Sequence, residues 1–185
     1  MNKIISVLKK NVSVTEIMAV LLFIVLFPLI SKVNFMQNDD WNRTTSIIRF
    51  LSGDTSLLQV TATTFYTQGI LGFLFSMIFD WKKLPFLTLF FSVLNFYIFA
   101  KIITDHFKLS KFKSIVISLL FFFTPLHIYS SIGFMTENYT MFFMLLAIYF
   151  LLEYEKVRKK KHFIFFDIAG ILSFYIKQKA ILSNG

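Results

Sequence analysis

The chain has 185 residues, of which 56% are hydrophobic, 19% aromatic and only 16% charged. This composition excludes a disordered chain, which requires low hydrophobicity. It also argues against a soluble globule, in which about 25% of the residues are normally charged. The net charge of +9 does not indicate nucleic-acid binding, because the basic residues lie in short clusters between apolar segments. Since there is no cysteine, disulfides and thiolate chemistry are excluded as well.

We therefore predict an all-α polytopic membrane protein built as a single module. A membrane-spanning helix needs about 20 mostly apolar residues. Five segments approach this length and are predicted as spans: 14–33, 84–104, 114–134, 138–155 and 162–182. Pro125 could kink the third of them. The apolar stretch 69–79 is too short to cross comfortably and is expected to lie in the outer interface.

The basic clusters predict the orientation of these spans. If 69–79 does not cross, the N-terminal lysines share one side with the clusters at 101–113 and 156–161. Loops rich in lysine and arginine are typical of the cytoplasmic side. We therefore predict a multi-pass protein of the cytoplasmic (plasma) membrane with its N-terminus in the cytoplasm. Residues 34–83 form the first outer loop in this arrangement.

The outer loop contains a predicted helix in addition to the apolar stretch 69–79. Residues 41–52 place their apolar side chains roughly on one side, which is typical of an interfacial helix. Asp40 is predicted as its N-cap, and Gly53 is a natural stop signal. The threonine-rich stretch 55–67 is predicted as a loop.

Ionisable groups at membrane depth are costly, so each of them is a functional hypothesis. Asp39 and Asp40 follow the first span, Glu137 opens the fourth, and Lys177 lies in the outer half of the fifth. The predicted orientation brings these groups to the outer side, where they could meet in one pocket. The alternatives stay open: the aspartates and Glu137 could interact only with helix dipoles, and the lysines could reach lipid headgroups.

The order of these motifs resembles the N-terminal part of the GT-C glycosyltransferases, above all the protein O-mannosyltransferase and aminoarabinose transferase group. The resemblance is carried by the acidic pair in QNDDW, by Glu137 in SSIGFMTENY and by Ile176-Lys177. It implies an all-helical fold and transfer of a sugar from a polyprenyl-phosphate donor to a lipid, glycan or protein acceptor. It further implies Asp39, Asp40 and Glu137 as catalytic residues, with Asp39 as the base. Lys177, Trp41 and Gln68 are expected to bind substrate, and no metal or cofactor is expected.

The sequence also departs from this family. The stretch before 69–79 has neither the proline nor the basic residue that such proteins often carry there, which puts contacts to the lipid phosphate in doubt. Family members are much longer, so the chain is expected to be an N-terminal fragment. The competing hypothesis is a non-enzymatic membrane protein: a transporter fragment, an assembly subunit or an inactive truncated product.

Overall fold

A computed structural model of the chain describes residues 13–30, 38–54 and 65–176. Helices account for 86% of this part of the chain, which contains no strand. The all-helical prediction is therefore confirmed. A 3-10 turn at Trp81–Lys83 precedes the central helix of the fold. The α-helices described are α1 (Val14–Ile30), α2 (Asn38–Leu51), α3 (Tyr66–Phe79), α4 (Leu84–Asp105), α5 (Lys111–Phe122), α6 (Pro125–Ser131), α7 (Thr136–Val157) and α8 (Lys160–Phe174).

Helix α4 is the centre of the fold. It packs against α1, α5 and α7, and α8 packs along α7. Its side chains are apolar on nearly every side, which is typical of a helix enclosed by others. The exceptions are the buried polar residues Thr88, Ser92 and Asn95, which face α6 and α7.

The directions of the helices define two ends of the bundle. Helices α4 and α7 are parallel, because Thr88 Oγ1 lies 3.0 Å from Tyr139 Oη near their starts. Near their ends, His106 Nε2 lies 3.4 Å from Glu153 Oε1. Helix α8 returns in the opposite direction, so that Ser173 Oγ donates to the Thr140 carbonyl at 3.3 Å. The starts of α4 and α7 and the end of α8 therefore share one end.

The predicted span 114–134 consists of two helices. Helix α5 ends at Phe122, α6 begins at Pro125, and the two are bent by 70°. Proline has no N–H to donate to the preceding turn and disfavours helical backbone in the residue before it. Thr124 accordingly adopts an extended conformation with ψ of 140°. The predicted kink is therefore a full break.

The outer loop also differs from its prediction. Helix α2 begins at Asn38, so Asp40 lies in its first turn and is not the N-cap. Acidic residues in the first turn of a helix interact favourably with the helix dipole. The helix therefore begins before the apolar stretch that starts at Trp41. The stop is as predicted, since Gly53 follows the helix with a left-handed φ of 86°. Most of the predicted loop 55–67 lies outside the described residues, but Tyr66 and Thr67 already belong to α3.

One described helix, from Trp81 to Asp105, is long and apolar enough to cross a membrane. The bent pair of α5 and α6 would be a second if it is counted as one span. The predicted span 84–104 is thus a single helix, as expected. Because a core helix of a soluble protein passes the same test, the full set of five spans stays a prediction.

Candidate functional site

Asp40 lies at the end of the bundle where α4 and α7 begin. Its side chain is buried, with the residue only 1% exposed. It packs against the connection between α6 and α7, where the Phe134 backbone N–H donates to its carboxylate. The contact depends on Gly133, because an added Cβ would lie on Oδ2 and 2.9 Å from Cγ of Asp40. The residues just before α7, Gly133, Phe134 and Met135, thus form a binding site for a carboxylate from α2.

Three charged residues surround Asp40 and, together with it, form what we call the acidic cluster: Asp39, Asp40, Arg43 and Glu137. The pKa of Asp40 is raised from 3.8 to about 6, mainly by burial. The Asp39 and Glu137 carboxylates also raise this pKa, while Arg43 and the hydrogen bond from the Phe134 N–H lower it. Within the described residues, Oδ1 of Asp40 has no hydrogen-bond partner. This carboxyl group therefore changes its charge close to neutral pH, where proton transfer is most useful.

Asp39 is the accessible member of the acidic cluster. Its side chain is 67% exposed, and Arg43 Nη2 lies 3.4 Å from its Oδ2. Arg43 itself is buried and places Nη1 3.4 Å from Met135 Sδ. It therefore links the first turn of α2 to the connection before α7. We did not predict a role for Arg43, although its spacing of four residues from Asp39 is typical of a helical ion pair.

Glu137 lies in the first turn of α7, where the helix dipole favours a negative charge. Thr136 Oγ1 donates to its Oε2 at 3.4 Å. The Glu137 carboxylate is close enough to Asp40 to raise the pKa of that carboxyl group. Both the structural and the functional interpretations of Glu137 remain compatible with this placement.

The predicted substrate-binding residues differ in their exposure to solvent. Trp41 is 49% exposed beside the acidic pair. Gln68 is fully buried, and its Nε2 donates to the Phe134 carbonyl at 3.1 Å, so it holds the same connection that receives Asp40. A substrate contact through Gln68 stays a prediction. Lys177 lies outside the described residues, but Ile176 before it is buried in one apolar cluster with Ile47 and Phe134.

A buried polar network on α4, α6 and α7 was not predicted. Ser92 Oγ lies 2.8 Å from His127 Nε2 and 2.6 Å from Ser131 Oγ. Asn95 Nδ2 donates to the Asn138 carbonyl at 3.0 Å. Sequence spacing alone does not reveal that a serine on another helix lies beside His127. Side chains of this kind are typical contacts between helices inside a membrane.

No three His, Asp or Glu side chains in the described part of the chain are grouped to hold a metal ion. Comparison with family models, curated proteins and solved structures gives no match to the chain. The geometry of the acidic cluster is therefore the basis for the functional proposal.

Proposed function

We propose that the chain belongs to a multi-pass membrane glycosyltransferase, which moves a sugar from a polyprenyl-phosphate donor to an acceptor at the outer face of the membrane. The observation that supports this function is the acidic cluster itself. Carboxylates from α2 and α7, far apart in the sequence, interact around one buried aspartate. Clusters of carboxyl groups with a raised pKa are typical of catalytic sites, although structural networks also produce them.

The cluster suggests a division of roles. Asp39, which is exposed, would accept the proton of the acceptor hydroxyl while the hydroxyl oxygen attacks the anomeric carbon of the sugar. The bond from that carbon to the lipid phosphate oxygen breaks, and the phosphate leaves with the electron pair. A general base of this kind contributes about 10²–10⁴-fold to the rate. Arg43 orients Asp39, while Asp40 and Glu137 position the groups around it.

In the membrane arrangement that we propose, the donor would lie beside the acidic cluster. Helix α4 is long and apolar enough to span, and the acidic cluster lies at the end where α4 begins. The exposed apolar side chains of α3, among them Ile70, Leu74 and Ile78, would contact the polyprenyl chain in the outer interface. In this proposal Lys177 would offset the charge that develops on the departing phosphate.

Replacing Asp39 with asparagine tests the base directly. We expect the transfer of labelled sugar from a polyprenyl-phosphate donor in isolated membranes to fall by about 10²–10⁴-fold, because the amide cannot accept the proton. Asp54→Asn is a matched control, since Asp54 is an exposed aspartate at the other end of α2. Near-normal transfer by the Asp39 variant, at equal protein level, would remove Asp39 from the proposed role.

The non-enzymatic alternative predicts a different result with a photoreactive polyprenyl-phosphate probe. The transferase proposal expects labelling of α3, and expects Lys177→Ala to reduce it severalfold because a cation beside the phosphate is lost. Lys83→Ala is the control, as Lys83 is an exposed lysine outside the acidic cluster. If the probe labels neither the wild-type protein nor the control above background, the non-enzymatic alternative is favoured.

A further inference from the structure

A cavity of about 190 Å³ lies at the end of the bundle opposite the acidic cluster, and we call it the interhelix pocket. It opens between the start of α1, the last turns of α4 and the start of α5. Its volume is smaller than that of sites for drug-sized ligands, so it has room for a small polar group and not for a whole lipid. Eight residues line it: Ser13, Thr15, Glu16, Tyr97, Lys101, Thr104, Asp105 and Lys111.

The charges of this lining are balanced and come from three helices. Glu16 lies in the first turn of α1, Lys101 and Asp105 lie in the last two turns of α4, and Lys111 is the first residue of α5. Two cations and two carboxylates thus line one small space. A ligand that matches them carries one positive and one negative group, because a ligand with a single charge would leave charges of the pocket unpaired.

Lys101 is held in place by contacts within the protein. Its Nζ lies 5.2 Å from the centre of the Tyr149 ring and 6.0 Å from the centre of the Tyr97 ring, and it donates a hydrogen bond to the Tyr149 hydroxyl. Asp105, four residues later on α4, attracts the same ammonium group. A cation that aromatic rings already fix loses little conformational entropy when it binds an anion.

The start of α1 supplies further polar groups. The Ser13 backbone N–H donates to Glu16 Oε2 at 2.8 Å, and the Glu16 N–H donates to Ser13 Oγ at 3.3 Å. This capping box fixes the Glu16 carboxylate at the pocket, and a carboxylate has about four acceptor sites, so it can accept from a second donor. Thr15 is only 9% exposed and lines the pocket, where its hydroxyl can donate to an anion.

The position of the interhelix pocket along α4 indicates the source of its ligand. The helix from Trp81 to Asp105 is long and apolar enough to cross a membrane. In the membrane arrangement that we propose, its last turn therefore reaches the headgroup region on the side away from the acidic cluster. Tyrosine side chains such as those of Tyr97 and Tyr149 are enriched at this depth. Phospholipid headgroups are thus the charged molecules closest to the pocket.

We propose that the interhelix pocket binds the headgroup of a phospholipid that carries a phosphate and a primary ammonium group. The phosphate lies between Lys101 and Lys111 and accepts from the Thr15 hydroxyl, while the ammonium group donates to Glu16 and Asp105. A phosphocholine headgroup has the same charges but no N–H to donate. A phosphoglycerol headgroup brings a phosphate to the lysines and leaves both carboxylates without a cation. The proposal concerns binding alone and goes beyond sugar transfer.

The proposal is tested by native mass spectrometry of the full chain in detergent. Phosphatidylethanolamine, phosphatidylcholine and phosphatidylglycerol with identical acyl chains are added, and their dissociation constants are compared. We expect the ethanolamine lipid to bind about tenfold more tightly than either of the others, because each of them lacks the charge-assisted hydrogen bonds of the ammonium group. Free phosphoethanolamine should bind at least about tenfold more weakly than the lipid, since it has no chain to contact the exposed apolar side chains of α1.

Variants of the lining separate the two charged groups of the ligand. Glu16→Gln keeps an oxygen that accepts from the Ser13 N–H, so the cap of α1 remains while the charge is lost. This variant and Asp105→Asn should bind phosphatidylethanolamine severalfold more weakly and prefer it less over phosphatidylcholine. Lys111→Gln should weaken the binding of all three lipids alike, because each carries the phosphate. Lys113→Gln is the matched control, since Lys113 is an exposed lysine of the same turn that does not line the pocket.

Equal binding of the ethanolamine and choline lipids would overturn the proposal, and strongest binding of phosphatidylglycerol would do the same, since it indicates a simple basic surface. Free phosphoethanolamine that binds as tightly as the lipid would show a soluble ligand instead. The proposal is also wrong if Glu16→Gln and Asp105→Asn, with normal thermal unfolding, keep the full preference for phosphatidylethanolamine, or if Lys111→Gln and Lys113→Gln lose binding equally. None of these measurements requires a sugar donor, so the transferase proposal is tested separately.

Discussion

Replacing Asp40 with asparagine is expected to stabilise the protein at pH 8. Burial is the main cause that raises the pKa of this carboxyl group from 3.8 to about 6, and a difference of this size between folded and unfolded states corresponds to about 3 kcal/mol. Screening by water near the exposed Asp39 reduces this to roughly 1–2 kcal/mol. Asparagine has the same shape, its oxygen still accepts from the Phe134 N–H, and it carries no charge to bury. We therefore expect a higher midpoint of thermal unfolding for this variant.

The raised pKa of Asp40 also predicts how the free energy of unfolding of the wild-type protein changes with pH. A carboxyl group whose pKa is higher in the folded than in the unfolded state binds more protons in the folded state at any pH between those two pKa values. The favourable contribution of Asp40 to the free energy of unfolding is complete below pH 3.8 and is lost as the pH rises through about 6. The free energy of unfolding of the wild-type protein, relative to that of the Asp40→Asn variant, should therefore fall between pH 4 and 6 and level off above pH 7.

Asp54→Asn is the control for this comparison, because Asp54 is exposed and only 4.0 Å from Arg49. An exposed ion pair of this kind is worth about 0–1 kcal/mol. If the two asparagine variants unfold alike across this pH range, Asp40 does not bury an ionised carboxylate. Under the proposed function, the stabilised Asp40 variant should also transfer sugar more slowly, because strained active sites exchange stability for activity.

Gly133→Ala is expected to destabilise the fold by about 1–3 kcal/mol, the usual effect of overpacking. The added Cβ would collide with the Asp40 carboxylate, which cannot move away without losing its bond from the Phe134 N–H. Denaturant or thermal unfolding in detergent measures this loss. Gly170→Ala provides the control within α8, because nothing lies within 4 Å of a Cβ there. Alanine in a helix interior should instead stabilise by about 0.5–1 kcal/mol.

A double-mutant cycle identifies Asp40 as the cause. In an Asp40→Ala background the carboxylate is absent, so Gly133→Ala should be far less harmful. The two changes are expected to couple by about 0.5–3 kcal/mol, as for other residues in direct contact. Additive effects of the two substitutions would show that Gly133 serves a different contact.

Several features of this fold could be predicted because they depend on local sequence. The hydropathy of 84–104 predicts α4, Gly53 predicts the end of α2, and Pro125 predicts a disturbance between α5 and α6. The proximity of Asp40 to Glu137 agrees with the predicted topology, in which both residues lie on the same side of the apolar segments. Such a prediction needs only topology and not side-chain geometry.

Other features depend on contacts between distant side chains and could not be predicted. Gln68 donates to the Phe134 carbonyl across 66 positions of sequence. Gly133 is needed because α2 places the Asp40 carboxylate against it. The sequence around this glycine is apolar and contains no pattern that predicts a contact with a distant aspartate. His127 Nε2 contacts Ser92 Oγ on another helix, 35 positions away in the sequence. The start of α2 was misjudged because charge in its first turn, and not apolar periodicity, extends the helix.

The parallel arrangement of α4 and α7 has a consequence for synthesis of the chain. The hydroxyl and amide groups of Thr88, Ser92 and Asn95 find their partners only 35 to 51 residues later in the sequence. Ribosomes add about 5–20 residues per second, so α4 exists for roughly 2–10 seconds before those partners are made. During this interval the polar side chains of α4 must remain hydrated or be covered by another protein. Stable burial of α4 therefore waits for α7, and the central helix is completed by the second half of the chain.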